Sequence, residues 1–471
     1  MRAPQVMKSE AEATAMVARF ELDHQATAFT VRGIAVWRLL RLPVCMALQT
    51  SEFSNRSLPR RERLLAVLRS IIDLATLPRG FRYAVKTSIS AMRIKGESGY
   101  EDIYFERLIK DLPGGVRLHT LNAAGYIWRK SATPAPSVDC TAIPVFGALM
   151  ARIFPIVEGA GVYARLSDLI RTNLEVDISS SKIQLIFSSL WWQARAYDWL
   201  LRRLGVASVL VAETDERALL MASKRQGIRF IELQHGVFTP DHPDALPSKM
   251  LDFAEPDTLL LPDGLALYGH YWADRLADTA MGRLERIYCV GASVIEGYRS
   301  MRKTRSPQYN EGPCLLVTTQ GFGRDGLIRF LGRFLESFDG PCTLILKLHP
   351  AFDPSTEPYL REIGKDSRVR VITGSDDPNT YELMAKSDLH MSIASACHFD
   401  ALGIGVPTLV LGLPGHTLVQ DIIDIGDALF AATPEDLAGI IKGLYWRPIQ
   451  QTLSDKYYRQ GFSENLSSLI V

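Results

Sequence analysis

The sequence predicts an α/β protein of two doubly wound domains, each built on a parallel sheet flanked by helices. Two observations predict this fold class. Five short apolar runs alternate with helical segments over residues 314–447, and a strand, a helix and a strand follow one another over 207–233. The length of 471 residues is too great for one core and suits two or three domains.

The first 180 residues are predicted to be a divergent, mostly helical extension. Residues 20–31 have the pattern of a short hairpin, an amphipathic helix then runs from Gly33 to Leu48, and Arg60–Ala75 is a further helix. The arginines of this last helix are expected on a solvated surface. Weak contact with anionic headgroups or an acidic acceptor is the alternative.

Residues 181–304 are predicted to be the Rossmann-like part of an N-terminal domain, 1–304. A helix over 183–204 leads to a valine-rich strand at 207–212. The next helix, 216–226, ends at Gly227, a residue that suits the left-handed position after a helix, and Arg229–Leu233 is the next strand. A strand, a helix and a strand in this order indicate a parallel sheet.

Residues 314–447 are predicted to form a C-terminal Rossmann-like domain. A polar segment with two prolines, 305–313, is interpreted as the linker, and residues 448–471 are expected to pack back on the N-terminal domain. The strands are apolar throughout, as expected where helices cover both faces of a sheet. The predicted strands are 314–318, 343–348, 369–372, 389–393 and 408–411, and the predicted helices are 325–338, 357–363, 380–386, 395–403 and 434–444.

Composition and charge narrow the class of protein. A formal net charge of +1 gives no overall field that favours nucleic acid. The six cysteines are scattered without a paired spacing, which indicates reduced thiols rather than a disulfide framework or a zinc site. No signal-peptide pattern and no uninterrupted membrane-spanning run is present. We therefore expect a cytoplasmic protein whose membrane contact, if any, is peripheral at the inner face.

Polar residues follow the strands of the C-terminal domain, where open α/β sheets bind ligands. Lys347 and His349 end one strand before Pro350, and both can donate hydrogen bonds to a phosphate; a surface lysine and a structural histidine are the alternative. Ser395 is the expected N-cap of an anion-binding helix that also carries Asp400. Gln320 opens a glycine-rich segment in which backbone can approach a ligand, although a flexible turn fits it equally.

The N-terminal domain offers a second group of candidates. His235, between Gln234 and Gly236 at a strand end, is a candidate general base or phosphate ligand. Glu213 follows the preceding strand and is the candidate catalytic carboxylate, because Asp215 is the expected cap of the next helix. Asp241, in the loop after Gly236, can contact an acceptor or a metal, with a solvated loop as the alternative.

These motifs occur in the order Gln-His-Gly, Lys-x-His-Pro, Ser-x-x-x-Phe-Asp and Gly-x-Pro. The ordered set, over about 206–407, resembles the bacterial GT-B transferases of surface-polysaccharide assembly. That group includes capsule polysaccharide biosynthesis proteins, Kdo and sialic acid transferases, and CDP-glycerol glycerophosphotransferases. The resemblance implies the GT-B fold, two Rossmann-like domains with parallel sheets that face a cleft, with the N-terminal domain on the acceptor side.

The resemblance also implies roles for single residues. His235 corresponds to a catalytic or substrate-contacting histidine, and Lys347 and His349 to the pair that contacts donor phosphate. Ser395 corresponds to the first of two serines, the second being replaced here by Ala396, and Asp400 to an acidic residue assigned to the donor ribose or sugar. Gln234 stands where the glycerophosphotransferases usually carry tryptophan, which favours a sugar donor.

The implied function is transfer of a sugar from a nucleotide-activated donor, CMP-linked among the candidates, to a growing surface glycan or a lipid-linked acceptor. No cofactor is expected besides the nucleotide-sugar substrate. No essential metal is expected either, because no Asp-x-Asp pair stands where a metal-dependent transferase needs it. A sugar-nucleotide epimerase of the same fold and a non-catalytic scaffold in a polysaccharide assembly complex are the alternatives.

Overall fold

The computed structural model describes residues 10–49, 60–77, 79–87, 92–96, 99–120, 136–213, 215–240, 242, 245–303, 312–350, 352–374, 378–443 and 449–470. These residues form two compact units. The first takes its residues from Met1–Leu267, Tyr271–Val290 and Ser463–Val471, and the second from Tyr268–His270 and Gly291–Phe462.

The first unit is built on a parallel sheet. The strands are β1 (Thr30–Val31), β2 (Ile34–Ala35), β3 (Tyr83–Thr87), β4 (Met92–Gly96), β5 (Gly99–Asp102), β6 (Gly115–His119), β7 (Ser137–Asp139), β8 (Ser208–Ala212), β9 (Arg229–Leu233), β10 (Gly264–Leu267) and β11 (Ile287–Cys289). The helices are α1 (Glu10–His24), α2 (Arg41–Gln49), α3 (Arg60–Ala75), α4 (Glu106–Asp111), α5 (Ala142–Ile153), α6 (Ala160–Leu174), α7 (Ser180–Leu204), α8 (Arg217–Gln226), α9 (His270–Arg275) and α10 (Ala280–Arg283).

The main sheet of this unit has seven strands in the order β11-β10-β9-β8-β3-β6-β7, and every neighbouring pair is parallel. The strand order reverses between β3 and β8. Ligands of doubly wound sheets bind at this kind of switch point, beyond the carboxyl ends of the strands. The other two sheets are the antiparallel pairs β1–β2 and β4–β5.

The region before residue 181 contributes three of the seven strands and is therefore more than a helical extension. Strands β3 and β6 were not predicted from the sequence because each contains a cation, Lys86 in β3 and Arg117 in β6. Both side chains are buried in the folded unit. Carboxylates compensate these charges, as described below, but a hydropathy pattern does not reveal such pairing.

The predicted hairpin at 20–31 is wrong in its position. Helix α1 continues to His24, and the hairpin β1–β2 lies further on, at Thr30–Ala35. The helix persists because Phe20 packs on Trp37 at 4.8 Å between ring centroids and buried Glu21 accepts a hydrogen bond from the same indole. Tertiary packing therefore overrides the local pattern.

The second unit is also built on a parallel sheet. Its strands are β12 (Cys314–Thr318), β13 (Thr343–Lys347), β14 (Val369–Ile372), β15 (Leu389–Ser392), β16 (Thr408–Leu411) and β17 (Leu429–Ala431). Its helices are α11 (Ser293–Lys303), α12 (Arg324–Ser337), α13 (Glu357–Glu362), α14 (Thr380–Lys386), α15 (Cys397–Ile404), α16 (Gln420–Asp424), α17 (Pro434–Gly443) and α18 (Gln451–Tyr457), and α19 (Phe462–Ser467) returns the chain to the first unit.

The six strands follow the order β14-β13-β12-β15-β16-β17 and are all parallel. The switch point lies between β12 and β15. The five predicted strands of this unit are present, and the α/β fold class with parallel sheets is confirmed. Strand β17 was missed because it has only three residues.

Two further expectations concern the chain ends of this unit. The predicted linker 305–313 lies outside the described residues, apart from Gly312 and Pro313. The predicted tail 448–471 is divided, since its described residues up to Phe462 belong to the second unit and those from Ser463 to the first. Among the described helices, none has the length and apolar character needed to cross a bilayer.

Candidate functional site

The second unit presents a glycine-rich loop at its switch point. The loop follows β12, and Gly321 and Gly323 adopt φ values of 83° and 67°. Gly323 is the N-cap of α12, so the first amides of this helix point into the loop region without intrahelical partners. Such a helix start favours an anion.

Side-chain hydrogen bonds join this loop to the two neighbouring strands. The Thr319 hydroxyl accepts from the His349 backbone N–H at 3.0 Å, after β13. The Gln320 Oε1 accepts from the Ala394 N–H at 2.9 Å, after β15. These bonds hold the carboxyl ends of β13, β12 and β15 together. Gln320 connects the loop after β12 to the loop after β15.

His349 lies at this edge with its ring half-buried. Its Nδ1 accepts a hydrogen bond from the Phe352 N–H at 3.1 Å, and the two rings stack at 4.6 Å. Because Nδ1 is an acceptor here, the neutral ring carries its proton on Nε2. His349 is therefore oriented to donate from Nε2, as a phosphate ligand requires.

Lys347 is placed differently from its prediction. Its side chain is 2% exposed, and Nζ donates to the carbonyls of Thr373 at 2.8 Å and Pro378 at 3.1 Å. The ammonium group thus fixes the segment that follows β14. This geometry directs the ammonium group at backbone carbonyls of the turn, and direct phosphate contact by Lys347 stays a prediction.

Ser395 and Asp400 lie on the other side of the switch point. The N-cap of α15 is Ala396 and not Ser395, but the Ser395 hydroxyl still accepts from the Cys397 N–H at 3.2 Å. The Asp400 carboxylate accepts from the Tyr458 hydroxyl at 2.5 Å. Burial, and next the negative charge of Asp400, raise the pKa of Tyr458 well above its ordinary value, so the phenol stays protonated as the donor.

Arg324 was not predicted, although it lies inside the glycine-rich segment. Its guanidinium, at the first turn of α12, pairs with fully buried Asp353 at 2.6 Å and is 31% exposed. Asp353 also accepts from the Tyr359 hydroxyl at 2.6 Å. The pair raises the pKa of Arg324 and places a fixed cation beside the glycine loop.

In the first unit, Gln234 and His235 follow β9. Gln234 is fully buried, and its amide donates to the Gly236 carbonyl at 2.9 Å, which shapes the turn. The His235 ring is half-buried, with Nδ1 3.1 Å from the Leu233 carbonyl. The neutral ring therefore carries its proton on Nδ1, which leaves Nε2 the basic nitrogen. The Tyr104 hydroxyl donates to the His235 carbonyl at 2.7 Å and anchors the turn.

Glu213 follows β8, the neighbour of β9, so the structure places both candidates at one edge of one sheet. A cation that sequence reasoning missed lies beside it. Burial lowers the pKa of Lys86 to about 8, and the Glu213 carboxylate opposes this shift. Lys86 also forms an ion pair with Glu216. The signal in the sequence was a lysine within an otherwise apolar strand.

The predicted cap of α8 is wrong. The N-cap is Glu216, with no side-chain cap, and Asp215 lies in the left-handed region at φ 68°. Its carboxylate instead pairs with Arg217 at 3.1 Å. Asp215 therefore stabilises the turn before the helix through an ion pair.

A buried ion network supports the same edge of the sheet. Asp102 accepts from Thr87 at 2.9 Å and from Arg117 at 2.7 Å, and Arg117 also pairs with Glu106 at 2.9 Å. Asp102 accepts the Tyr104 N–H at 2.8 Å as well. This network therefore connects the ends of β3 and β6 to the tyrosine that anchors the His235 turn.

A small pocket, part of it open to solvent, lies behind the His235 turn. Phe238 forms one wall and contacts both the His235 ring, at 5.1 Å, and the His242 ring, at 4.6 Å. Buried Arg38 and Arg217 also line it. Glu232 belongs to the same lining, so apolar, cationic and anionic side chains meet in this pocket.

The described residues contain no group of three or more His, Cys, Asp or Glu side chains that could hold a metal ion. Asp241 lies outside the described residues. Metal independence and a role for Asp241 therefore stay predictions.

No protein-family model and no curated protein matches the chain. Similar solved structures include UDP-GlcNAc 2-epimerase from Neisseria meningitidis bound to UDP-GlcNAc, with a TM-score of 0.50, 12% identity, and coverage of 83% of this chain and 99% of that one. The wall teichoic acid polymerase TagF is similar with a TM-score of 0.41, 13% identity and coverage of 88% and 98%. MurG from Acinetobacter baumannii is similar with a TM-score of 0.46, 12% identity and coverage of 83% and 99%. The likeness to the epimerase, together with the two parallel sheets of this chain, shows that the chain has the GT-B fold.

Proposed function

We propose that this protein is a glycosyltransferase that moves a sugar from a nucleotide-activated donor to a glycan or lipid-linked acceptor. The observation that carries the proposal is the switch point of the second unit. There the His349 Nε2–H, the glycine loop and the start of α12 form a site for the donor phosphates. The similar epimerase structure is bound to UDP-GlcNAc, and this supports a nucleotide sugar as the ligand class.

In the proposed reaction, the bond between the sugar and the phosphate oxygen breaks, and the nucleotide departs with the electron pair. The acceptor hydroxyl forms the new bond and gives its proton to a base. His235 Nε2 and the Glu213 carboxylate are the proposed bases, both at the carboxyl edge of the first unit's sheet. The backbone amides at the start of α12, together with His349 and Arg324, stabilise the charge that develops on the departing phosphate.

We propose different roles for the predicted donor residues. We propose that His349 contacts phosphate, whereas Lys347, Gln320 and Ser395 shape the loops that surround it. Asp400 is held by Tyr458, and its remaining carboxylate oxygen is the proposed contact to a donor hydroxyl.

A thermal-shift screen against CMP, CDP, UDP, GDP and their sugars tests the donor. A ligand at about 100 times its Kd stabilises the native state by about 2.7 kcal/mol, so the correct nucleotide should raise Tm clearly. The His349→Ala variant should bind that nucleotide at least about tenfold more weakly by calorimetry, because a hydrogen bond to a charged group is lost. His24→Ala, in the first unit, is the control.

Unchanged affinity of His349→Ala would remove the phosphate role. Transfer itself is tested by incubating the labelled donor with isolated surface glycans and lipid-linked acceptors. Interconversion of the donor sugar without any acceptor would replace the transferase proposal with the epimerase alternative.

A further inference from the structure

The first unit exposes an unusual concentration of large apolar side chains. Of the twenty such side chains that are exposed among the described residues, eleven lie on α3 or on α5 and the four residues after it. Isolated exposed apolar residues are normal, but a cluster marks an interaction site. The eleven are Leu64, Leu65, Leu68, Ile71, Ile72, Val145, Phe146, Leu149, Ile153, Phe154 and Val157.

On α3 these residues form one stripe. At about 100° per residue, the five positions fall within about 120° of the helix circumference. Ala66 and Ser70, both buried, lie on the opposite side of the helix. The apolar stripe of this amphipathic helix therefore faces away from the core.

Helix α5 has the same inverted arrangement. Its small residues Gly147 and Ala151 are buried, and a Cβ at Gly147 would lie 2.3 Å from Gln193 Cγ, so the helix packs closely on α7. Its large residues point outward instead, with Leu149 54% and Ile153 55% exposed.

The two helices are joined, so their exposed residues belong to one region of the unit. The Ser70 hydroxyl donates to the Asp139 carbonyl at 2.6 Å and accepts from the Ala142 N–H, the first residue of α5, at 2.9 Å. We name the eleven residues the apolar face.

The charge around the apolar face identifies its occupant. Arg61, Arg69 and Arg152 are exposed on these helices. Helix α5 carries Arg152 and no acidic residue, and α3 carries four arginines against two acidic residues, Glu62 and Asp73, so both helices have a positive balance of charge. An exposed apolar surface with arginines suits the boundary of an anionic bilayer, where apolar side chains enter the acyl region and the cations remain among the headgroups.

We infer that the apolar face docks this protein onto an anionic lipid bilayer. The inference goes beyond the proposed function and rests on exposure and charge alone, so it stands or falls independently of the donor site. In this arrangement the two helices lie along the bilayer surface. None of the described helices is long and apolar enough to cross the bilayer.

Co-sedimentation with vesicles tests this inference. The full-length protein should bind vesicles of phosphatidylcholine with phosphatidylglycerol and bind phosphatidylcholine alone far more weakly. Raising the salt from about 0.1 M to about 1 M should weaken binding, because the Debye length falls from about 10 Å to about 3 Å. The Leu68→Ser/Leu149→Ser variant should bind these vesicles at least about tenfold more weakly, because two apolar contacts with the bilayer are lost.

The matched control is Leu360→Ser/Leu418→Ser, which replaces two exposed leucines of the second unit and should bind like the parent. The affinity of Arg61→Gln/Arg152→Gln for anionic vesicles should fall about twenty-five-fold, since each cation contributes about fivefold. Equal loss in the control variant, or binding that ignores lipid charge, would overturn the inference. So would a concentration-dependent dimer in sedimentation equilibrium that Leu68→Ser/Leu149→Ser abolishes without affecting vesicle binding.

Discussion

Gly321 shows how one backbone position shapes the candidate donor site. At φ 83° it occupies the left-handed region, and a Cβ there would lie 2.3 Å from the Phe352 carbonyl oxygen. The residue therefore lets the loop after β12 approach the loop after β13. The sequence predicted that the backbone at 320–326 approaches a ligand; the structure shows Gly321 close to another loop, and the contact with a ligand stays a prediction.

The Gly321→Ala variant should lose nucleotide binding by about tenfold or more, because the left-handed conformation costs an L residue about 1–2 kcal/mol and the clash adds to it. Gly326→Ala is the matched control. It changes the same segment, but its Cβ meets only Leu413 at 3.7 Å, an ordinary contact. Calorimetric titration of both variants with the nucleotide found in the thermal-shift screen measures the effect. Equal affinity of both variants would show that the glycine loop does not serve the nucleotide.

Two lysines mark the limit of residue-level prediction. Lys347 was singled out correctly as a polar residue at a strand end, yet it is buried and donates to carbonyls. Lys86 was missed, although it is buried beside Glu213 and Glu216. A sequence gives the position of a cation along a strand, whereas the direction of its side chain depends on carbonyls and carboxylates that are distant in the chain.

At the scale of elements, the strands of the second unit were predictable because they are mostly apolar. Their polar exceptions are informative. His390 in β15 and His398 in α15 are both buried, and both Nδ1 atoms contact the Thr408 hydroxyl, at 2.8 Å and 2.6 Å. A hydroxyl can donate to only one of them and must accept from the other, so two neutral rings satisfy this arrangement. The sequence showed the histidines but not this pairing.

This pair predicts acid sensitivity of the second unit. Burial lowers the pKa of His390 well below its ordinary value of 6.5 and that of His398 to about 3. Below pH 6.5 the unfolded state binds protons that the folded state does not, so the free energy of unfolding falls as the pH falls. Each histidine contributes a slope of up to about 1.4 kcal/mol per pH unit. Urea unfolding at pH 7 and pH 5 measures it.

The comparison that isolates the pair is the pH slope of His390→Gln/His398→Gln against the parent. The double variant should show a shallower decline between pH 7 and pH 5, whatever its absolute stability. Parallel slopes for parent and double variant would show that other groups cause the acid sensitivity.

At the scale of the whole molecule, each unit has a sheet and a hydrophobic core of its own. The sequence predicted the second unit well, because regular alternation of apolar strands and helices identifies a doubly wound sheet. It predicted the first poorly, since three strands of its main sheet lie before residue 181 and two of these three carry buried cations. Ion networks such as Asp102–Arg117–Glu106 make these strands possible, and their partners lie on different elements.

Separate cores predict that damage to one unit leaves the chemistry of the other intact. Arg117→Met should lower the free energy of unfolding of the first unit by about 3–5 kcal/mol, because it leaves buried Asp102 without its cation. Arg107→Met, which removes an exposed pair with Asp111, should change it by less than about 1 kcal/mol. Denaturant unfolding measures both variants, and calorimetry below the transition should give Arg117→Met the nucleotide Kd of the parent. A parallel loss of nucleotide affinity would mean that the donor site depends on the first unit, and the switch point of the second unit would then be insufficient to bind nucleotide alone.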